Sequence, residues 1–411
     1  MPHISQLKFR MQKIPFQIWV IYASSFIFSV GSSMAWPYLN IFLQQKLSLP
    51  LSTTTLLISL RAVTGILASF VAGSISDRFG RRGVILVSLL TGSVYYFLMA
   101  HAGALWQFAL LMGVWGALDL FFPVGSNAMI ADLVPIEDRL SAFSLMRMMH
   151  NAGISIGPII GGVLAARSYE MIFYSAAVGY LISFVMTAFT VRETLDRSKQ
   201  PEITEDRTKI GFAQIFKDNV FISTIVMGIF VFMGSSIVFN LLSLYARETH
   251  GIAESRISIV FTVNAVMCVF LQLPVMRLTE KYHPLLVMIV AAVLYAIGLS
   301  SFGLIPSILW YCVCMAVLTV GELMITPTML AITAKRAPAE ARGRYLSIYN
   351  LAHPVGYAFG PALAGNFYER LFPDSIWLSA GFYCVIAAIG FFVLYKRNKD
   401  AGWLRKLSVE G

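Results

Sequence analysis

Long apolar runs alternate with short polar breaks along the whole chain. Twelve runs are long enough to cross a hydrocarbon layer as helices, which takes roughly twenty residues at about 1.5 Å of rise each. They cover 16–43, 51–75, 83–102, 105–131, 141–166, 171–191, 219–246, 255–277, 284–303, 307–334, 344–369 and 375–395. No strand-period alternation competes with them. The expectation is an all-α membrane protein with twelve transmembrane helices. The first run follows Lys8, Arg10 and Lys13 as a signal peptide would, but it is too long and lacks a small-residue cleavage site, so it reads as a retained span.

Composition removes the soluble alternatives. Hydrophobic residues make up 57% of the 411 and charged residues only 13%, too few to cover a water-facing surface. Cys268, Cys312, Cys314 and Cys384 all fall inside apolar runs and read as small buried hydrophobes, so neither a disulfide framework nor a metal site is expected. A net charge of +10 would suggest nucleic acid in a soluble protein. Here its distribution gives another meaning. With twelve spans, the side that holds both termini carries 24 of the 31 Lys and Arg residues, the other side five, and Arg61 and Arg147 lie within spans. This asymmetry predicts cytoplasmic termini in a cell (inner) membrane, with the basic residues meeting anionic lipid. Residues 192–218 hold 12 of the 52 charges and Pro201, and read as a cytoplasmic linker between six-helix bundles 1–191 and 219–411.

The bundles repeat. An offset of 203 residues brings Pro135, Glu137, Arg139, Ser144, His150, Gly153, Gly157, Pro158 and Gly162 onto Pro338, Glu340, Arg342, Ser347, His353, Gly356, Gly360, Pro361 and Gly365. The same offset takes Gly31–Ser32–Ser33 onto Gly234–Ser235–Ser236, Asp77 onto Glu280, and Asp119 onto Glu322. Six spans per unit give both copies the same orientation, a parallel pseudo-two-fold repeat. Two such bundles that rock against each other expose a midplane cavity to each side in turn, which is a route to transport and needs no enzyme chemistry.

Two motifs carry a family resemblance. The loop after the second run reads Gly73-Ser-Ile-Ser-Asp77-Arg78-Phe79-Gly80-Arg81-Arg82. It resembles the loop motif of the major facilitator superfamily, with Ile75 at the usual Leu. Gly73 is expected to allow close helix approach and Gly80 a tight turn. The resemblance implies a gating role for Asp77 among Arg78, Arg81 and Arg82 and a helix N-terminus. Span five reads Gly153-Ile-Ser-Ile-Gly157-Pro158-Ile-Ile-Gly161-Gly162, similar to the antiporter motif of the drug:proton branch, with Ser144 at its first glycine. Small residues at this spacing equally serve plain helix packing. Span four lacks the arginine many such antiporters carry, and span one lacks the acid some multidrug members use; Trp36, Pro37 and Tyr38 stand there instead.

Ionisable groups inside spans are functional candidates by default, because each costs several kcal/mol. Asp119 and Glu322 sit mid-span in runs four and ten, as candidates for proton coupling or for pairing with a cationic substrate. The structural alternative pairs Asp119 with Arg61 or Arg147. His150 and His353 occupy equivalent positions and add a possible titrating pair; packed neutral histidines are the commoner outcome. Asp132, Glu137 and Asp138 at the inner end of span four suit gate contacts. Trp36, Tyr38, Trp115, Phe121, Phe122, Phe232, Phe239, Tyr349 and Tyr357 are expected on cavity-lining spans, a wall suited to bulky or cationic compounds, although any one of these rings more often faces lipid or a neighbouring helix. The expected function is proton-coupled efflux of lipophilic or cationic small molecules by alternating access in a monomer, powered by the proton gradient without a cofactor. Its partners are substrate, protons and membrane lipids, not nucleic acid. The same fold exporting a lipid or metabolite, or importing a nutrient by symport, is the first alternative. A non-transporting sensor or scaffold is the second, and usually carries an added soluble domain. No nucleophile–base pair or phosphate loop supports an enzyme.

Overall fold

The structure is a computed structural model that describes residues 15–135, 138–195, 212–338 and 341–398. Lys8, Arg10, Lys13, Glu137, Glu340 and the linker stretch 196–211 with Pro201 lie outside the described residues.

Twelve long helices account for all twelve runs. They are α1 (Phe16–Leu47), α2 (Leu51–Phe79), α3 (Arg81–His101), α4 (Leu105–Leu133), α5 (Arg139–Ala165) and α6 (Tyr169–Thr190), then α7 (Asn219–His250), α8 (Glu254–Thr279), α9 (Pro284–Ser300), α10 (Ile308–Arg336), α11 (Arg342–Arg370) and α12 (Ser375–Asn398). Eleven helices among the described residues are both long and apolar enough to span a membrane. The twelfth, α11, has the length but carries Asn350, His353, Pro354 and Pro361 along with Gly356, Gly360 and Gly365, which dilute its hydropathy. Large apolar side chains such as Phe70, Phe97, Leu110, Phe189, Phe270, Leu309 and Phe382 stand exposed on the helices. That pattern fits a surface solvated by lipid tails.

Helix ends follow from local chemistry. Asp218 caps α7 by accepting from the Phe221 amide at 3.1 Å, and Ser168 caps α6 through the Glu170 amide at 3.2 Å. His283 caps α9 by accepting from the Leu285 amide at 3.2 Å, ahead of Pro284 in the first turn. Burial pushes the His283 imidazole below its ordinary value, which keeps it in the neutral form that can accept. Gly251 closes α7 in the left-handed region at φ 63°, where a side chain would be strained.

Prolines interrupt the backbone ladder, and in α10 a neighbouring side chain takes up the freed carbonyl. Pro327 in α10 has no amide for the Leu323 carbonyl, and Gln272 of α8 donates to that carbonyl at 3.4 Å. In α4, Pro123 cannot serve the Asp119 carbonyl, and the helix breaks into Leu105–Leu118 and Phe121–Leu133 with Asp119 at the break.

By compactness the chain divides into two units: residues 1–38 with 64–202, and residues 39–63 with 203–411. This division differs from the six-and-six partition of the repeats in one respect. The end of α1 and the first half of α2 group with the second bundle. Asn40 Nδ2 donates to the Asn240 carbonyl at 2.9 Å, and the Ser59 hydroxyl donates to the Ala358 carbonyl. The Ser52 amide and hydroxyl both donate to the Glu369 carboxylate at 2.7 Å, so Glu369 of α11 caps the N-terminus of α2.

Within each unit the same helix pairs recur. In the first, α1 packs on α5 and α3 on α6; in the second, α7 packs on α11 and α9 on α12. The glycine motifs explain the closest pair. A Cβ on Gly157 would stand 2.0 Å from Ser33 Oγ and 2.8 Å from the Val30 carbonyl of α1. At the repeat-equivalent pair, a Cβ on Gly360 would stand 2.1 Å from Ser236 Oγ and 2.4 Å from the Met233 carbonyl of α7. Gly153 and Gly161 face α1 as tightly, and Gly162 is buried on the same helix. Small residues therefore seat one helix against the backbone of another.

Replacing Gly157 or Gly360 by Ala should destabilise the protein by about 1–3 kcal/mol through overpacking, seen as a lower apparent melting temperature in detergent. Ser33→Ala should recover only part of the Gly157→Ala loss, since the Val30 carbonyl stays in the way.

Candidate functional site

Each unit holds its own polar cluster among apolar helices. In the second unit Glu322 of α10 is half-buried and accepts from Asn264 Nδ2 of α8 at 2.8 Å. The same Nδ2 donates to Thr319 Oγ1, one helical turn before Glu322, at 2.9 Å. The Thr319 hydroxyl donates to the Met315 carbonyl at 2.7 Å. Asn264 is 8% exposed and Thr319 fully buried, so this triad is a built feature of the helix interface. Tyr295 of α9, Tyr357 of α11 and Cys268 of α8 feel the Glu322 charge. Ser235 of α7 sits beside both tyrosine hydroxyls. These neighbours are all uncharged hydrogen-bonding groups. An ionised Glu322 therefore depends on neutral dipoles, and a proton or a cation is what would neutralise it. His353 stacks on Tyr357 with ring centroids 4.2 Å apart and packs against Phe232 at 5.2 Å.

In the first unit, Asp119 at the break in α4 and Arg147 of α5 both act electrostatically on His150. His150 Nδ1 lies 2.5 Å from Ser29 Oγ of α1. Asp119 thus shares its surroundings with two basic side chains, whereas Glu322 shares its own with an amide, hydroxyls and a thiol. The 203-residue offset sharpens this contrast. Arg61 occupies the position equivalent to Asn264, and Gly116 the position equivalent to Thr319. The helix scaffold is repeated and its polar chemistry is not.

Several expected wall residues are packing residues. Trp115 is 1% exposed and lies within an aromatic cluster, stacked on Tyr95 at 5.2 Å and edge-on to Tyr180 at 5.6 Å. Gly92 makes the room, since a Cβ there would stand 2.4 Å from Tyr180 and 2.6 Å from Trp115. Tyr38 is also buried and ties α1 to α5 by donating to the Pro158 carbonyl at 3.2 Å. Phe122 stacks on Phe28 at 4.6 Å, and Phe121 is buried in a cluster with Ala72 and Val84. Trp36, Phe239, Tyr349 and Tyr357 are only half-buried and keep ring surface available.

The loop between α2 and α3 forms a third cluster, inside the first unit. Arg81 pairs with Asp77, and its Nε lies 3.5 Å from Asp132. Gly80 turns the chain at φ 94°, as expected of a glycine there. Arg82 donates to the Ala188 carbonyl at 2.7 Å, and Arg78 lies over the Phe79 ring. Gly73 does not mediate a close helix contact, because a Cβ there would meet no described atom within 4 Å. The carboxylate that caps α3 comes from Glu193, just after α6, which accepts from the Arg81 amide at 2.9 Å and the Arg82 amide at 3.1 Å. Thr194 beside it donates to Asp132 at 3.0 Å. Sequence reasoning assigned Glu193 to the linker. Its signal is an acid directly after an apolar run, which only folding brings to Gly80.

The sequence profile of the Major Facilitator Superfamily matches residues 21–253 and again 224–409. Quinolone resistance protein NorA of Staphylococcus aureus (strain MSSA476) is 25% identical over 370 residues, which cover 89% of this chain and 93% of NorA. A Na(+), Li(+), K(+)/H(+) antiporter of Planococcus maritimus is 24% identical over 368 residues, 82% of this chain and 86% of the antiporter. A crystal structure of a variant of nucleoside transporter NupG superposes with a TM-score of 0.82 at 13% identity, covering 92% of this chain and 100% of that one. At that identity the likeness concerns the fold.

Glu193→Ala should cost about 0.5–2 kcal/mol, the usual value of an N-terminal cap, and lower the apparent melting temperature in detergent. Gly73→Ala should leave it unchanged.

Proposed function

This chain belongs to the Major Facilitator Superfamily, and we propose that within it the chain works as a proton-coupled exporter of lipophilic or cationic small molecules. It is a multi-pass membrane transporter and not an enzyme. The observation that carries the proposal is the setting of Glu322: a carboxyl within a membrane span, held by the neutral amide of Asn264 and flanked by tyrosine hydroxyls. Such a group gains by taking up either a proton or a cationic cargo, and the two exclude each other at one carboxyl. Exclusive occupancy is the requirement for antiport. The likeness to a quinolone resistance protein across most of both chains supports an efflux role, as does the motif at Gly153, Gly157, Pro158, Gly161 and Gly162.

In this reading the six-helix halves 1–191 and 219–411 rock as two bodies in a monomer, with both termini on the cytoplasmic side of the cell membrane. Asp119, already beside Arg147 and His150, acts as a charge-balanced partner site. His353, stacked on Tyr357, and half-buried Trp36 and Tyr349 offer surface to a planar cargo. Asp77, Arg81, Asp132 and Glu193 form the cytoplasmic latch of the first half, through charge-assisted bonds that can break and reform.

A second reading has a specific support. The Planococcus maritimus relative is described as exchanging Na⁺, Li⁺ or K⁺ for H⁺, and a carboxyl that alternates between a proton and a cation serves an alkali metal equally well.

The experiment uses purified protein in liposomes with an acidic lumen. Wild type should accumulate ethidium or tetraphenylphosphonium and release lumenal protons as it does so. Glu322→Gln should lower pH-driven accumulation more than tenfold, and Asp119→Asn should lower it less. Wild-type accumulation in both variants would remove these carboxyls from coupling. Proton release with Na⁺, Li⁺ or K⁺ but not with the organic cations would favour the second reading.

A further inference from the structure

We infer that Thr319, Asn264 and Glu322 form a hydrogen-bond relay that reads whether the Glu322 carboxyl holds its proton and reports that state from α10 to α8, with Asn264 as the positioning residue. The inference rests on the proposal that Glu322 carries the coupled proton.

The geometry fixes one polarity of the relay. The Thr319 hydroxyl spends its single proton on the Met315 carbonyl at 2.7 Å, so it can only accept from Asn264. Asn264 therefore turns its nitrogen inward, and its two N–H groups are taken by Thr319 at 2.9 Å and Glu322 at 2.8 Å. This arrangement suits a carboxylate that accepts. A protonated Glu322 has an O–H to donate, and the inward nitrogen cannot receive it. Turning the amide over presents Oδ1 instead. Thr319 can follow, because its hydroxyl can leave a carbonyl that the helix ladder already engages and donate to the same Oδ1.

Asparagine, threonine and a carboxylic acid can all act as donor or acceptor. The triad therefore has two internally bonded arrangements, nitrogen inward toward a carboxylate and oxygen inward toward the proton of a carboxylic acid. An amide that meets neither Thr319 nor Glu322 is costly at this burial, so the two arrangements are distinct and not graded.

The other groups around Glu322 do not duplicate this role. Tyr295 from α9 and Tyr357 from α11 have Ser235 of α7 beside their hydroxyls, and Cys268 lies one turn along α8 from Asn264. Nor does the first repeat copy it. Arg61 stands at the position of Asn264 and Gly116 at that of Thr319. Arginine has no acceptor and glycine no hydroxyl, so neither can invert. The relay belongs to the second half alone.

The test compares two rates in the same proteoliposomes: ethidium uptake driven by a pH gradient, and ethidium counterflow without one. Counterflow needs folding, cargo binding and rocking, but no net proton movement. Asn264→Leu and the isosteric Thr319→Val should each cut driven uptake at least tenfold relative to counterflow, while counterflow in Thr319→Val, whose side chain bonds Asn264 and not the carboxyl, stays within about twofold of wild type. Thr319→Ser, which restores the hydroxyl, should bring the ratio back to at least half the wild-type value. A wild-type ratio in Asn264→Leu and Thr319→Val, together with loss of driven uptake in Glu322→Gln, would overturn the relay and leave the carrier standing. Wild-type driven uptake in Glu322→Gln itself would overturn both.

Discussion

A polar group placed in hydrocarbon has no water to bond with, and this constraint shapes the molecule at every level. Backbone amides and carbonyls satisfy it by forming helices, so the described residues fall mostly into twelve long helices. Where Pro327 interrupts that solution, a side chain completes it: Gln272 donates to the Leu323 carbonyl. Where a carboxyl enters a span, its surroundings answer it. Asp119 shares its neighbourhood with Arg147 and His150, while the groups recorded around Glu322 among the described residues are an amide, hydroxyls and a thiol. The two solutions are not equivalent. A charge offset by fixed basic groups can stay put; one supported by neutral dipoles is free to be exchanged for a proton or a cargo.

Duplication supplied the scaffold on which that difference arose. The glycine-to-backbone contacts of α5 on α1 and of α11 on α7 use equivalent residues at nearly equal spacing. They belong to packing, where a change of one methyl group is felt. The polar positions diverged instead: Arg61 against Asn264, Gly116 against Thr319, Gly92 against Tyr295. His150 meets Ser29, whereas its counterpart His353 meets two aromatic rings. A symmetric framework with asymmetric chemistry is what the proposed coupling needs, since identical halves give no reason for one event to follow another.

Helix number, the repeat, and the turn at Gly80 were legible in the sequence because each depends on composition or local backbone conformation. An apolar run long enough to cross lipid forms a helix almost regardless of its neighbours. The rotation of each helix about its axis was not legible. Trp115 and Tyr38 sit on helices expected to line a cavity, yet they point into helix interfaces, and an apolar run carries little periodicity to reveal which face is which. The importance of Asn264 and Thr319 had a signal that was available: polar side chains in apolar runs, one of them matching Arg61 at the repeat offset. Glu193 had almost none, because its role appears only when the end of α6 returns to the start of α3. The grouping of residues 39–63 with the second bundle likewise depends on Ser52, Ser59 and Asn40 finding partners on α7 and α11.

The central claim is that one carboxyl exchanges a proton for a cationic cargo. Proton release on adding tetraphenylphosphonium to purified, weakly buffered protein in detergent measures this without membranes or gradients. Binding to wild type should release protons in proportion to the cargo bound, and Glu322→Gln should bind or fail to bind without releasing any. Release of the same number of protons by wild type and Glu322→Gln would contradict the account.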